Sequence, residues 1–144
     1  MRVASCLAGT VLLAGLAIHG QEAVAKRSVR DGVFSEQQVD RGRRVYTQSC
    51  EHCHGASLEG NDTSEIPALV YEPFMRQWNG RTLAELFEQV RRSMPADDRG
   101  TLTPRAYTDV VAFVLESNGF PAGPSDLPEK AEELAAITIE RPKP

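Results

Sequence analysis

Residues 46–60 have the sequence YTQSCEHCHGASLEG, in which two cysteines and two histidines lie within five positions. Cys50 and Cys53 are three residues apart, which is about one turn of a helix, so both sulfur atoms can point to the same side. His54 follows directly and places an imidazole beside the two thiols. The pattern C-x-x-C-H therefore indicates a binding site for a cofactor, which the rest of the chain would enclose.

This pattern is the attachment signature of c-type haem, in which the two thiols bond to the vinyl groups and the histidine binds the iron. A redox-active disulfide needs a strand-to-helix turn of a kind that the sequence does not predict. Structural zinc needs a second pair of ligands, and after residue 25 the chain has no further cysteine and no histidine outside the motif. A plain disulfide would close too short a loop to stabilise the fold. We therefore predict one covalently bound haem c, attached through Cys50 and Cys53 and ligated by His54.

The first 25 residues have the pattern of a secretory signal peptide. Arg2 precedes an apolar run over residues 3–18, and AVA at residues 23–25 matches the small-x-small motif of a cleavage site. A retained membrane anchor is the alternative, but the run is short and is interrupted by two glycines. The sequence therefore predicts export to the periplasm with no stable membrane insertion after cleavage, and covalent haem attachment is typical of exported proteins.

Length and charge narrow the functional classes. Cleavage would leave 144 − 25 = 119 residues, the size of a single domain. The formal net charge of −4 and the lack of a basic stripe argue against a nucleic-acid partner. No Ser/His/Asp set, paired acids or glycine-rich phosphate loop indicates catalysis by the polypeptide itself.

Three segments have apolar residues at helical spacing, each after a capping signal. The expected N-caps are Ser35, Thr82 and Thr103; the first two are followed three residues later by Gln or Glu, and the third by proline at the first helical position. Met94-Pro95 ends the second helix, and Gly119 ends the third. Strand patterns are not convincing anywhere, so the sequence predicts an all-α fold.

A long polar connection joins the first two predicted helices. It contains Pro67 and Pro73, and a structureless loop of this length is improbable in a small domain unless it wraps around something. Three short helices with few aromatic residues also make a thin core. An apolar group is therefore expected at the centre of the domain.

With these motifs in place, the sequence resembles the monohaem class I c-type cytochrome family over residues 36–120. The resemblance implies a small helical shell around one haem, with the first and last helices crossing tightly at Gly42 and with Tyr46 and Phe113 packed beside the crossing. The stretches that carry it are the first helix with glycine and tyrosine four residues apart, CEHCHG (50–55), IPAL (66–69), SMP (93–95) and DVVAFVLESNGFP (109–121).

An electron carrier fills both axial positions of its iron, so a second ligand is expected. His52 lies inside the attachment loop, where it should point to solvent, which leaves the methionines. Met94 precedes a proline in an extended segment and is far enough from His54 for the chain to pass over the haem, whereas Met75 has apolar neighbours and is interpreted as packing. The resemblance to the family also places its ligand in the SMP motif.

The resemblance implies further contacts around the haem. The carbonyl of Pro67 would accept the second ring N–H of the ligand histidine, and Leu69 would lie against the haem face. Trp78 would bond a haem propionate or would be an ordinary core tryptophan; both interpretations stay open.

The expected organisation is a signal peptide (1–25), an N-terminal linker (26–34), a cytochrome c domain (35–120) and a proline-rich C-terminal extension (121–144) that resembles the wrap of some periplasmic cytochromes serving dehydrogenases. We expect an electron carrier, not an enzyme, whose redox partners are a periplasmic dehydrogenase or a terminal oxidase. The alternatives are an open-coordinate haem that binds small ligands, or a cytochrome subunit of a quinoprotein dehydrogenase complex.

Overall fold

The computed structural model describes residues 25–142, so the predicted signal peptide falls outside the described residues except for its last position. The described part is helical, with two very short strands and two 3₁₀ turns, and none of its helices is both long and apolar enough to cross a membrane. In chain order the elements are β1 Arg27–Ser28, α1 Glu36–Ser49, α2 Glu51–His54, α3 Tyr71–Trp78, α4 Leu83–Ser93, α5 Pro104–Ser117, α6 Ala131–Leu134 and β2 Ile137–Thr138.

The three predicted helices are α1, α4 and α5, and each begins at its expected cap. The side chain of Ser35 accepts the backbone N–H of Gln38, Thr82 forms a complete capping box with Glu85, and Thr103 caps α5. The box expected at Ser35 is only half formed, because the side chain of Gln38 turns away to accept the backbone N–H of Leu127 at 2.6 Å.

The crossing of α1 over α5 is as close as the glycine predicts. A Cβ atom added to Gly42 would lie 1.9 Å from the backbone oxygen of Asp109 and 3.0 Å from Cβ of Phe113. The rings of Tyr46 and Phe113 pack beside the crossing with their centroids 5.2 Å apart. Only a residue without a side chain fits between the two helices here.

An ion-pair network connects the crossing of α1 and α5 to the C-terminal region. The guanidinium of Arg41 donates two hydrogen bonds to the buried carboxylate of Asp109, at 2.9 and 3.0 Å, and a third to Asp126. The hydroxyl of Ser35 also donates to Asp126. These contacts join α1, α5 and the chain beyond α5.

The connection between α1 and α4 differs from the expected long loop, because it contains α3. The sequence prediction missed this helix since Pro67 and Pro73 favour irregular structure. Pro73 is the third residue of α3, where a backbone N–H has no partner within the helix, so proline costs no hydrogen bond at this position.

The predicted boundaries of the cytochrome c domain leave out one segment at each end, and both of these segments pack against its core. In the expected linker, Val29 and Phe34 have no exposed surface, and in the expected extension Leu134 and Ile139 are equally buried. β1 and β2 pair in parallel and join the two segments. The sequence predicted no strand because alternation cannot be recognised over two residues.

Candidate functional site

An apolar cavity of about 340 Å³ lies inside the helical shell. Its wall is built from α1, α2, α3, α4 and α5 and from the loop before α3. The residues that line it are Tyr46, Ser49, Cys50, His52, Cys53, His54, Glu65, Ile66, Pro67, Leu69, Gln77, Trp78, Leu86, Gln89, Val90, Ser93, Met94, Pro95, Ala96, Val110, Val111 and Val114. All seven residues predicted for the site are in this wall.

The two cysteines of the motif lie at the junction of α1 and α2. Cys50 is the C-cap of α1, Cys53 lies in α2, and both are free, half-buried thiols in the cavity wall. Burial, followed by the charge of Cys53, raises the pKa of Cys50 to about 11. Within residues 25–142 no group of three or more His, Cys, Asp or Glu side chains has the arrangement of a metal site.

His54 ends α2 and is buried. Its Nδ1 lies 3.1 Å from the carbonyl oxygen of Pro67. Because a carbonyl can only accept, Nδ1 carries the proton and Nε2 keeps a lone pair. Burial lowers the pKa of His54, partly opposed by the hydrogen bond to Pro67, which favours the neutral imidazole, the form that binds a metal ion.

Met94 occupies the end of α4. It is the C-cap of that helix, with an extended backbone of φ −127° and ψ 150°, and it lines the cavity. The hydroxyl of Tyr107 donates to its backbone carbonyl at 3.0 Å. Met75 instead lies on the buried face of α3 and belongs to the hydrophobic core. The structure thus brings Met94, but not Met75, to the same cavity as the cysteines and His54.

Leu69 and Trp78 belong to the cavity wall at the two ends of α3, Leu69 just before its first residue and Trp78 as its last. Trp78 ends the helix, is buried, and has the guanidinium of Arg81 stacked on its ring at 4.6 Å from the centroid. The backbone around Leu69 is fixed by the side chain of Asn118, which donates to the carbonyl of Leu69 at 2.9 Å and accepts the N–H of Tyr71 at 2.8 Å.

Sequence reasoning missed several contributors to the site. Tyr107 and Asn118 act through side-chain bonds to distant backbone atoms, which leave no spacing pattern in the sequence. Gln77 and Gln89 supply polar groups to the wall from α3 and α4. The amphipathic pattern of α4 could have indicated Gln89, because this residue lies next to the apolar face of the helix.

The family model described as "Cytochrome C oxidase, cbb3-type, subunit III" matches residues 37–114, which is more than half of the chain. The chain belongs to this family. The cytochrome is also similar in structure to a chain of the sulfane dehydrogenase SoxCD from Paracoccus pantotrophus, with a TM-score of 0.50 and 22% identity over 90% of this chain and 67% of that chain. At this identity the likeness shows the fold alone. No curated protein matches the sequence.

The comparisons confirm three predictions: that the chain is a c-type cytochrome, that it folds as a small helical shell, and that its cofactor is one covalently bound haem c. The donors in the wall fit this group chemically, because two thiols, a neutral imidazole and a thioether share one apolar cavity. The role of each residue toward the haem remains a prediction from sequence and position.

Proposed function

We propose that this cytochrome is a single-electron carrier in which Cys50 and Cys53 would attach the haem and His54 and Met94 would bind its iron. The observation that supports the proposal is the composition of one cavity wall. Cys50, Cys53 and His54 come from the α1–α2 junction, whereas Met94 comes from the end of α4, forty residues further along the chain. These are the donors that a six-coordinate c-type haem requires.

The haem supplies an iron that gains or loses one electron. The protein residues set how easily this occurs. The carbonyl of Pro67 orients the ring of His54 through Nδ1 and leaves Nε2 as the ligand atom. A thioether from Met94 favours ferrous iron and so raises the potential. Apolar residues of α4 and α5, such as Val90, Val110 and Val114, exclude water from the cavity.

The electron would come from, or pass to, another redox protein. The family name refers to a cytochrome oxidase, which supports a terminal oxidase as one partner class, and a dehydrogenase is the other. We place the carrier in the periplasm after removal of residues 1–25. The N-terminal sequence pattern supports this location.

The enzymatic alternative is a haem whose sixth position is free to bind a small molecule. It requires that Met94 does not ligate. The other alternative, a cytochrome subunit bound permanently to a dehydrogenase, requires a large partner that co-purifies with this chain.

The test uses the mature holoprotein, isolated from a periplasmic fraction. A carrier should be reduced and reoxidised with one electron per haem, and its ferrous form should not bind carbon monoxide on mixing. Rapid stoichiometric carbon monoxide binding would reject the six-coordinate carrier and favour the open-coordinate alternative. Co-purification with a stoichiometric oxidoreductase through size exclusion would favour the subunit alternative.

A further inference from the structure

Helix α3 forms part of the cavity wall, and within residues 25–142 its backbone makes few close approaches to the other helices. It places Gln77 and Trp78 in the wall, and it begins at Tyr71, which has an unfavourable positive φ of 59°. Phe74, Met75 and Trp78 on its inner face are nevertheless buried in the core. Contacts at the two ends of the helix therefore add to this packing in fixing its position.

The segment from residue 137 to residue 141, here called the C-terminal brace, makes these contacts at the end of α3. The N–H of Gly80 donates to the carbonyl of Ile139 at 2.7 Å, and the N–H of Ile139 donates to the carbonyl of Arg81 at 2.8 Å. The N–H of Arg141 donates to Oδ1 of Asn79 at 3.0 Å. The turn that follows Trp78 is thus paired with the brace almost as a strand is paired.

The same brace contacts the start of α3. The guanidinium of Arg141 donates two hydrogen bonds to the carboxylate of Glu72, at 2.8 and 3.0 Å. These bonds lower the pKa of Glu72 and raise that of Arg141. Ile139 is completely buried and anchors the brace in the core. Arg141 consequently connects both ends of α3 to a segment that is anchored in the core by Ile139.

We propose that the C-terminal brace positions Trp78 on the wall of the haem cavity, with Arg141 as a positioning residue whose side chain acts through Glu72. The inference rests on the proposed function only in taking this cavity as the haem site. Exposed ion pairs contribute little to global stability. The effect of Arg141 should therefore be seen in the placement of α3 and much less in unfolding.

Trp78 provides a direct probe, because it is the only tryptophan in the chain and a haem close to an indole ring quenches its fluorescence. In the folded holoprotein, Arg141→Ala should raise the tryptophan emission and change the midpoint potential, while the unfolding midpoint stays nearly constant. Lys130→Ala is the matched control, because it removes another exposed C-terminal cation from an ion pair, with Glu133, that does not touch α3. The control should leave the emission and the potential unchanged.

A charge exchange tests the pair itself. Glu72→Arg combined with Arg141→Glu restores opposite charges and should return the emission toward that of the unmodified protein, whereas Glu72→Arg alone should not. Unchanged emission and potential in Arg141→Ala would overturn the proposal for the brace. If the unmodified holoprotein shows no quenching relative to its haem-free form, the cavity is not the haem site, and the proposed function fails instead.

Discussion

The hydroxyl of Tyr107 donates a hydrogen bond to the backbone carbonyl of Met94 across 3.0 Å. Tyr107 is 1% exposed and packs edge-on against Phe87, with ring centroids 6.4 Å apart. A side chain of α5 therefore fixes the backbone of the residue that we propose as the distal ligand. The ligand's position depends on the helix packing as well as on its own rotamer.

Removing this hydrogen bond should loosen the distal side of the iron. Tyr107→Phe keeps the ring and deletes only the hydroxyl, so we expect a loss of about 0.5–1.5 kcal/mol in unfolding free energy. We also expect faster carbon monoxide binding by the ferrous protein than in the unmodified form, measured by stopped-flow absorbance. Equal carbon monoxide kinetics would show that the bond stabilises the fold without constraining Met94.

The two methionines should behave differently when each is truncated. Met94→Ala should open the iron, lower the midpoint potential and allow the ferrous protein to bind carbon monoxide readily. Met75→Ala is the matched control; it creates a cavity in the core, which typically costs about 2–5 kcal/mol, but should leave the coordination intact. Absorbance and potentiometric titration distinguish the two outcomes. An open iron in Met75→Ala would contradict the assignment of the ligand.

Met94→His gives a second test of the same position. An imidazole should restore six-coordination but favour ferric iron more than a thioether does, so the midpoint potential should fall below that of the unmodified protein. A potential equal to that of the unmodified protein would indicate that residue 94 does not bind the iron.

Covalent attachment should need both sulfur atoms. After extraction with acidified acetone, the colour of the mature protein should stay with the polypeptide. Replacement of both Cys50 and Cys53 by serine should release the haem into the solvent, and either single replacement should lower the yield of attached haem. Quantitative release from the unmodified protein would reject thioether attachment.

The helix crossing should not tolerate a side chain at Gly42. The backbone oxygen of Asp109 lies 1.9 Å from the position of a Cβ atom there, so Gly42→Val must push α1 and α5 apart. Such overpacking costs about 1–3 kcal/mol, measurable as a lower denaturation midpoint. Gln48→Val places the same side chain on the exposed face of α1 and should cost less. Equal losses for the two variants would disprove a steric cause.

Acid should weaken the contact of the C-terminal region with α1. The hydrogen bond from Ser35, followed by the contacts with Arg41, lowers the pKa of Asp126 below its usual value near 3.8. Its folded pKa is below its unfolded pKa, so the stabilisation is present above pH 3.8 and is lost as the pH falls through the folded value. Asp126→Asn should cost at most about 1 kcal/mol near neutral pH, since the carboxylate is partly exposed. In denaturation curves this difference from the unmodified protein should shrink in acid; a difference that widens would contradict the sign.

Local signals in the sequence predicted the parts of the fold that depend on neighbouring residues. Ser35, Thr82 and Thr103 each cap a helix through a backbone N–H three positions away, and a hydrogen bond of this range leaves a recognisable motif. The attachment motif is equally local, since Cys50 and Cys53 share one helical turn. Gly42 was predictable because a glycine inside a helix has a cost that a close contact explains.

Contacts between distant residues could not be predicted in the same way. Asn118 holds the backbone at Leu69 and Tyr71, and nothing in the sequence around Asn118 specifies that partner. Helix α3 was missed because proline is common both in loops and in the first turn of a helix, and the sequence around Pro73 does not distinguish the two. The contact of the brace with the start of α3 depends on Arg141 meeting Glu72, a pairing that no periodicity encodes.

The parallel pairing of β1 with β2 has a consequence for how the chain reaches its final state. Arg27 pairs with Ile137. Strand β1 is therefore synthesised early, but the strand with which it pairs is completed only when almost the whole chain has been made. Contacts this distant in sequence require closure of a large loop and form slowly compared with the capped helices. Assembly should therefore proceed from the helices outward, with the joining of the two terminal segments as its last step.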